Sequence, residues 1–427
     1  MGEITVKPRG PLVRDIKVPG DKSISHRALM FAALGDGESR IEGLQKGLDV
    51  TSTRVCLNRL GVEMVEEAGG MLRVFGKGLD GLTEPTDILD CGNSGTTIRL
   101  MSGLVAGHSF LSILTGDRHL RRRPMARILD PLREMGALAL GRAEDTLAPL
   151  IIRGGSLRAL EWKLPVASAQ IKSAVLLAGL HARGTTWVDE PRLSRDHTER
   201  MLASMGVEFV RDGELRVGIV GRSRPKPVDV MIPGDPSSAA FWAAAALIIP
   251  GSKITVRGVS INPTRIGFFK LLERMGAPVE ITETGFSMGE PVGDITVEYG
   301  PLTGIEVGAA DVPSAIDEFP IFAVLAAVAK GETAITGAEE LRHKESDRID
   351  AVAAELSKAG VKVETYLDGM RIQGGAKLKP ARFESHDDHR LAMSTGVLAL
   401  AIEGGAVVNG AEAADVSYPG FWKELLG

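Results

Sequence analysis

Five glycines recur through the chain at nearly even intervals, each ending an apolar helix pattern and opening an apolar strand pattern. They stand in Leu60-Gly61-Val62, Met135-Gly136-Ala137, Met205-Gly206-Val207, Met275-Gly276-Ala277 and Ala359-Gly360-Val361, at spacings of 75, 70, 70 and 84 residues. Glycine just past a helix supplies left-handed backbone at no steric cost. A single such glycine is commonplace, but five at near-constant spacing indicate an internal repeat. Leu425-Leu426-Gly427 offers a sixth ending.

A second signature precedes each of these endings: a short polar loop that launches a helix apolar on almost every side. The loops are Asp21-Lys22-Ser23, Asn93-Ser94-Gly95, Ser168-Ala169-Gln170, Asp235-Pro236-Ser237, Asp317-Glu318 and Asp388-His389-Arg390, the last opening a helix expected to reach Ile402. Ser, Asp and Asn at these starts cap free N–H groups. A helix apolar all round must be buried in protein or lipid. The longest apolar run, Ala239 to Ile249, is too short for a membrane span, which needs about 20 residues. These are therefore central helices of a globular fold.

The unit reads loop, buried helix, strand, second helix, Gly, strand, strand, and six such units fill the 427 residues. Pro19-Gly20-Asp21 recurs as Pro233-Gly234-Asp235, half a chain later, which divides the units into two sets of three. The expected domains are 1–18 plus 234–427, and 19–233. The hinge is expected near Val18–Gly20 and Arg224–Pro233, and the active site in the cleft between the domains. Glu3–Val18 reads as a first strand able to pair with either half.

Charge narrows the function. A net charge of −5 and only 4% aromatic residues argue against a nucleic-acid partner, which calls for a basic surface and stacking rings. Two cysteines, Cys56 in a helix and Cys91 at a strand end, make neither a disulfide framework nor a metal cluster. No metal cluster and no membrane partner is expected; the chain reads as a cytoplasmic, monomeric enzyme. The cations that do stand out are Lys22, Arg27, Arg99, Arg123, Lys172, Lys344, Arg348 and Arg390, in or beside the helix-launching loops. Free N–H groups at helix starts carry partial positive charge, so several such starts with Lys and Arg beside them favour a phosphorylated anion. Pro124 is expected at the first position of a helix just after Arg123. Lys344 and Arg348, four apart, are expected on one helix face. Neither a phosphate loop of the GxxxxGK[ST] kind nor a GxGxxG turn is present. Asp317, Glu318 and Glu345 are the acid–base candidates.

Seven ordered motifs carry a resemblance that runs from Val18 to Trp422. They are PGDKSISHRA (Pro19–Ala28), GNSGTTIRL (Gly92–Leu100), RRRPMARILDPL (Arg121–Leu132), PVASAQIKSAVLLAGL (Pro165–Leu180), IDEFPIFAV (Ile316–Val324), LRHKESDRI (Leu341–Ile349) and DDHRLAM (Asp388–Met393). The chain resembles the 5-enolpyruvylshikimate 3-phosphate (EPSP) synthase family of enolpyruvyl transferases. The resemblance implies an α/β fold of two domains, each of three βαβαββ units with buried parallel helices. It also implies transfer of the enolpyruvyl group of phosphoenolpyruvate to the 5-hydroxyl of shikimate 3-phosphate, with release of phosphate and with no metal or organic cofactor, in the route to chorismate and the aromatic amino acids. On the matching positions, Ser23, Arg27, Ser168, Ala169, Gln170 and Lys344 would hold shikimate 3-phosphate. Lys22, Gly95, Arg123, Arg348 and Arg390 would hold phosphoenolpyruvate, with Gln170 near both. Asp317 would lie against the 5-hydroxyl and take its proton, Glu345 would protonate the methylene carbon, and Lys22 would serve as a second proton carrier.

Two positions depart from the family pattern. Val416 precedes Ser417-Tyr418-Pro419 where some members carry a Lys, and Glu340 stands where an Asn is usual. Gly95 leaves room beside phosphoenolpyruvate, which implies sensitivity to glyphosate-like mimics. The sister transferase acting on UDP-N-acetylglucosamine typically has Lys-Asn in the first motif, whereas Lys22-Ser23 stands here. A non-catalytic metabolite sensor would leave Asp317 and Glu345 without a task.

Overall fold

The computed structural model describes residues 2–427. It divides into two compact units, one made of the N-terminal residues through Pro19 with Pro233–Gly285 and Pro291–Gly427, the other of Gly20–Ile232 with Phe286–Glu290.

The Gly20–Ile232 unit holds three four-stranded sheets of one topology. In the second, Leu89–Asp90 pairs in parallel with Leu111–Thr115, which pairs antiparallel with Leu147–Arg153, itself antiparallel to Leu138–Gly141. A parallel pair requires a crossover, and here the crossover is the buried helix Gly95–Val105. The third sheet repeats this, with Glu161–Lys163 parallel to Thr185–Asp189 across the helix Ala169–His181. In the first sheet the parallel partner of Asp36–Glu42 is Asp229–Met231, from the far end of the unit.

The other unit follows the same plan. Glu306–Val307 runs parallel to Glu332–Ile335, and Lys253–Ser260 runs parallel to Val13–Ile16. Its last sheet has three strands, with Glu3–Val6 closing against Ala406–Asn409 in place of a hairpin. The expected single strand Glu3–Val18 is thus two strands in two sheets. Pro8, Gly10 and Pro11 lie between them, and proline cannot donate to a sheet ladder.

The repeat glycines all sit in the left-handed region: Gly61, Gly206, Gly276 and Gly360 at φ +87° and Gly136 at +103°. Each ends its helix and turns the chain into the antiparallel strands. The helix that opens at His389 stops at Ala399, short of Ile402. Pro124 does not begin a helix either; the next one starts at Ala126, after a 3₁₀ turn over Leu120–Arg122.

Each unit has its own core around three helices, Lys22–Leu34, Gly95–Val105 and Ala169–His181 in one, Pro236–Ile248, Phe319–Val328 and His389–Ala399 in the other. Small residues let them approach closely: a Cβ on Gly103 would meet the backbone oxygen of Ala174 at 2.1 Å. Among the described residues no helix is long and apolar enough to cross a membrane.

Candidate active site

In the Gly20–Ile232 unit the starts of three central helices are tied together by side chains. Asp21 caps the first, accepting from the Ile24 amide at 2.8 Å. Ser94 caps the second, accepting from the Thr97 amide at 3.0 Å, and Ser168 the third, accepting from the Ile171 amide at 3.5 Å. Capping by side chains places these helix starts at fixed positions and orients the remaining amides outward. A chain of hydroxyls then joins two of the helices: His26 Nδ1 to Thr53 Oγ1, Thr53 to Thr97, and Thr97 to Ser94, each at 2.7 Å. His26 is buried, and burial together with Lys22 and Arg27 holds its pKa well below the usual histidine value.

Arg27 is locked from three sides. Nε donates to Thr198 Oγ1 at 2.8 Å, Nη2 to Ser173 Oγ at 2.7 Å and Nη1 to the Ser23 carbonyl at 3.1 Å. Burial pushes its pKa down to about 10, with Glu199 opposing and Arg195 reinforcing the shift, so it remains cationic at neutral pH. Lys22 reaches Asp49 at 3.1 Å. Gln170 is oriented by Arg99 Nη1, which donates to its Oε1 at 2.5 Å, while its Nε2 donates to Thr96 Oγ1 at 3.0 Å. Arg123 Nη2 donates to Asn93 Oδ1 at 3.0 Å, and Asn93 in turn donates to Asp117. A Cβ on Gly95 would meet Arg123 Nη1 and Arg99 Nη1, each at 2.9 Å. These contacts join the expected anion-binding residues of this unit: Arg27 with Ser23, Gln170 with Arg99, and Gly95 with Arg99 and Arg123.

Lys172 is enclosed by protein. Its ammonium is buried between Glu190 and Glu199, at 2.8 Å from each. Burial alone would lower its pKa, but the two carboxylates outweigh it and raise it.

In the other unit Asp317 sits in a 3₁₀ turn, Ile316–Glu318, just before the helix Phe319–Val328. Its Oδ1 lies 3.3 Å from Lys344 Nζ and 3.6 Å from Arg348 Nη1. Lys344 and Arg348 do not share a helix face. Lys344 is extended after the 3₁₀ helix Glu339–His343, and the α-helix begins only at Arg348, capped by Asp347. They converge on Asp317 because the bend aims both inward.

Arg348 is buried and surrounded by carboxylates. It donates to Asp388 through Nε at 2.8 Å and Nη2 at 3.2 Å, and to Glu345 at 2.7 Å. Burial would lower its pKa, but Asp388 and Glu345 raise it. Asp388 also caps its own helix, accepting from the Arg390 amide at 2.9 Å. Arg390 Nη1 donates to the Asp317 carbonyl at 2.8 Å. At the C-terminal edge Val416 ends a 3₁₀ helix before the buried Tyr418, whose hydroxyl accepts from Trp242 Nε1 at 3.0 Å.

Several participants escaped the sequence reading: Asp49, Ser173, Glu190, Arg195, Thr198 and Glu199. The run Ser194-Arg195-Asp196-His197-Thr198, in which a helix opens at His197, resembles Asp388-His389-Arg390 in form, and that likeness was the available signal. Cys56 and Cys91 are both buried, and a hydrogen bond with the Cys56 thiol, reinforced by burial, pushes the Cys91 thiol well above its usual pKa.

The family model for EPSP synthase (3-phosphoshikimate 1-carboxyvinyltransferase) matches residues 6–425. A 3-phosphoshikimate 1-carboxyvinyltransferase of Synechococcus sp. is 49% identical over 421 residues, 98% of this chain and 95% of that protein. One from Bacillus thuringiensis is 47% identical over 426 residues, 100% of this chain and 99% of that protein. Among solved structures, EPSP synthase from Acinetobacter baumannii superposes with a TM-score of 0.88 at 39% identity, covering 99% of this chain and 97% of that one. The enolpyruvyl transferase NikO from Streptomyces tendae shares the fold, with a TM-score of 0.81 at 20% identity, over 99% of this chain and 96% of that one.

Proposed function

The chain belongs to the EPSP synthase family, and we propose that its two clusters of helix starts, loops and charges are the halves of that enzyme's active site. The reaction joins the enolpyruvyl group of phosphoenolpyruvate to the 5-hydroxyl of shikimate 3-phosphate and releases phosphate. Both substrates are multiply anionic, which fits the gathering of cations and helix N-termini in each unit.

The observation that carries the assignment of roles is Asp317, a carboxylate with Lys344 and Arg348 on one oxygen and Glu345 on the far side of Arg348. Asp317 takes the 5-hydroxyl proton, and the resulting oxygen attacks C2 of phosphoenolpyruvate. Glu345 gives a proton to C3, which completes a tetrahedral intermediate. In elimination C3 returns a proton and the C2–O bond to phosphate breaks. Lys22 carries the proton that the leaving phosphate needs. In this reading Ser23, Arg27, Ser168, Ala169, Gln170 and Lys344 bind shikimate 3-phosphate. Lys22, Gly95, Arg123, Arg348 and Arg390 bind phosphoenolpyruvate.

Glu345 is paired with Arg348 at 2.7 Å, which favours its ionised form. A general acid must hold a proton, so the bound anions offset the cation before the transfer. Titration of the Glu345 carboxyl in the free and ternary states tests this; the same pKa in both would count against it. The two units then close on shikimate 3-phosphate to complete one site, as a cytoplasmic monomer. A scattering profile unchanged by that ligand would oppose closure.

The deciding assay is phosphate release with both substrates and with each alone. Release only with the pair supports the reading, and release from phosphoenolpyruvate alone would sink it.

A further inference from the structure

Glu318 follows Asp317 and was grouped with it as an acid–base candidate, yet its carboxylate points into the unit that contains Pro233–Gly285 and Pro291–Gly427. The residue is 2% exposed. Its Oε1 accepts a short hydrogen bond from Ser237 Oγ. The same oxygen lies 3.5 Å from Arg390 Nη1 and 3.8 Å from Arg265 Nη1. Its Oε2 is buried and makes no hydrogen bond. Ser237 is also shared by the two arginines: Arg265 Nη2 donates to its hydroxyl at 3.0 Å and Arg390 Nη2 at 3.3 Å. Arg265 also pairs with Asp235 at 3.1 Å. Two guanidiniums and two carboxylates thus surround one serine, at the starts of the helices that open at Pro236, Phe319 and His389.

A buried carboxylate is costly unless it is paired or hydrogen-bonded, and a chain that only needed to fill this space could use an apolar side chain. Glu318 instead touches the one residue of the cluster assigned to phosphoenolpyruvate. Arg390 uses Nη1 on the Asp317 carbonyl and Glu318, and Nη2 on Ser237. That leaves Nε–H and the second hydrogen of Nη2 for a ligand. The guanidinium plane is fixed by contacts on the side away from those donors.

We propose that Glu318, through Ser237, is a positioning residue that sets the Arg390 guanidinium for phosphoenolpyruvate. The inference rests on Arg390 binding that substrate, as read above. Geometry is the function of the contact and charge opposes it, because a carboxylate beside Arg390 weakens its attraction for an anion. An amide at position 318 keeps the acceptor oxygen for Ser237 and Arg390 while removing the opposing charge.

Steady-state phosphate release by the full chain tests this. Glu318→Leu should raise KM for phosphoenolpyruvate about tenfold, as loss of one oriented charged contact does, and change KM for shikimate 3-phosphate less than about twofold. Glu318→Gln should bring KM for phosphoenolpyruvate back to the unaltered value or below it. In an Arg390→Gln background Glu318→Leu should add nothing, since the two act through one group. Ser237→Ala, a milder change that preserves packing, should raise the same KM in the same direction and serves if Glu318→Leu does not fold. Equal effects on both KM values, or a full further rise on top of Arg390→Gln, overturns the positioning role. If Arg390→Gln alone leaves KM for phosphoenolpyruvate unchanged, the assignment of Arg390 has failed instead.

Discussion

Lys344 Nζ and Arg348 Nη1 approach the same oxygen of Asp317, at 3.3 and 3.6 Å, although a bend in the chain separates the two cations. The two cations hold this carboxylate from one side. An incoming anion therefore meets cations already engaged with carboxylates.

Asp317→Asn removes the proposed base and leaves its shape. Turnover should fall by about 10²- to 10⁴-fold, the usual worth of a positioned proton acceptor. The dissociation constant for shikimate 3-phosphate, measured by calorimetry, should change little. A tenfold loss of binding with turnover intact would assign Asp317 to binding alone.

Lys172→Met tests the opposite kind of cation, one enclosed by protein. The change leaves Glu190 and Glu199 facing each other without their shared ammonium. Breaking a buried pair in this way costs about 3–5 kcal/mol, so the urea midpoint of the unit carrying it should drop markedly. A midpoint within experimental error of the unaltered protein would show that the two carboxylates find other partners.

Acid should weaken the fold through His181. Burial, with help from His108 and Arg222 and against Asp80, pushes its pKa down to about 3. The unfolded chain has a histidine value of about 6.5, so below that pH the unfolded state binds the proton that the folded state refuses. Stability contributed by the neutral ring is intact above pH 6.5 and is lost progressively as pH falls toward 3, by about 2 kcal/mol at pH 5. His181→Leu should flatten this part of the stability–pH curve from thermal melts. An unchanged slope would place the acid sensitivity elsewhere.

Gly95→Ala adds a methyl 2.9 Å from the guanidinium ends of Arg99 and Arg123. Both are long side chains that can shift, so the protein should fold. Arg123 would nonetheless leave its place, raising KM for phosphoenolpyruvate. Millimolar glyphosate should inhibit the unaltered enzyme and the alanine variant less. Equal inhibition of both would mean that Gly95 does not border that space.

The repeat was legible because it is written in backbone requirements. Glycine at the left-handed turns and Ser or Asp at helix starts are imposed by local sterics and unpaired amides, whatever the tertiary surroundings. The buried helices were legible because no solvent-facing helix is apolar all round. Local chemistry likewise collected Lys22, Arg27, Gln170, Asp317 and Arg390 at or near the starts of buried helices. It did not decide which cations serve a ligand. Lys172 and Arg27 look alike along the chain, yet only the fold brings Glu190 and Glu199 against the first and neutral hydroxyls against the second. Nor did it reveal that Glu318 turns inward beside Asp317, or that Glu3–Val6 and Val13–Ile16 enter different sheets. Those outcomes depend on groups tens to hundreds of residues away. Pairing of charges in a low-dielectric interior is settled by three-dimensional neighbours, whereas capping and glycine turns are settled within a few residues.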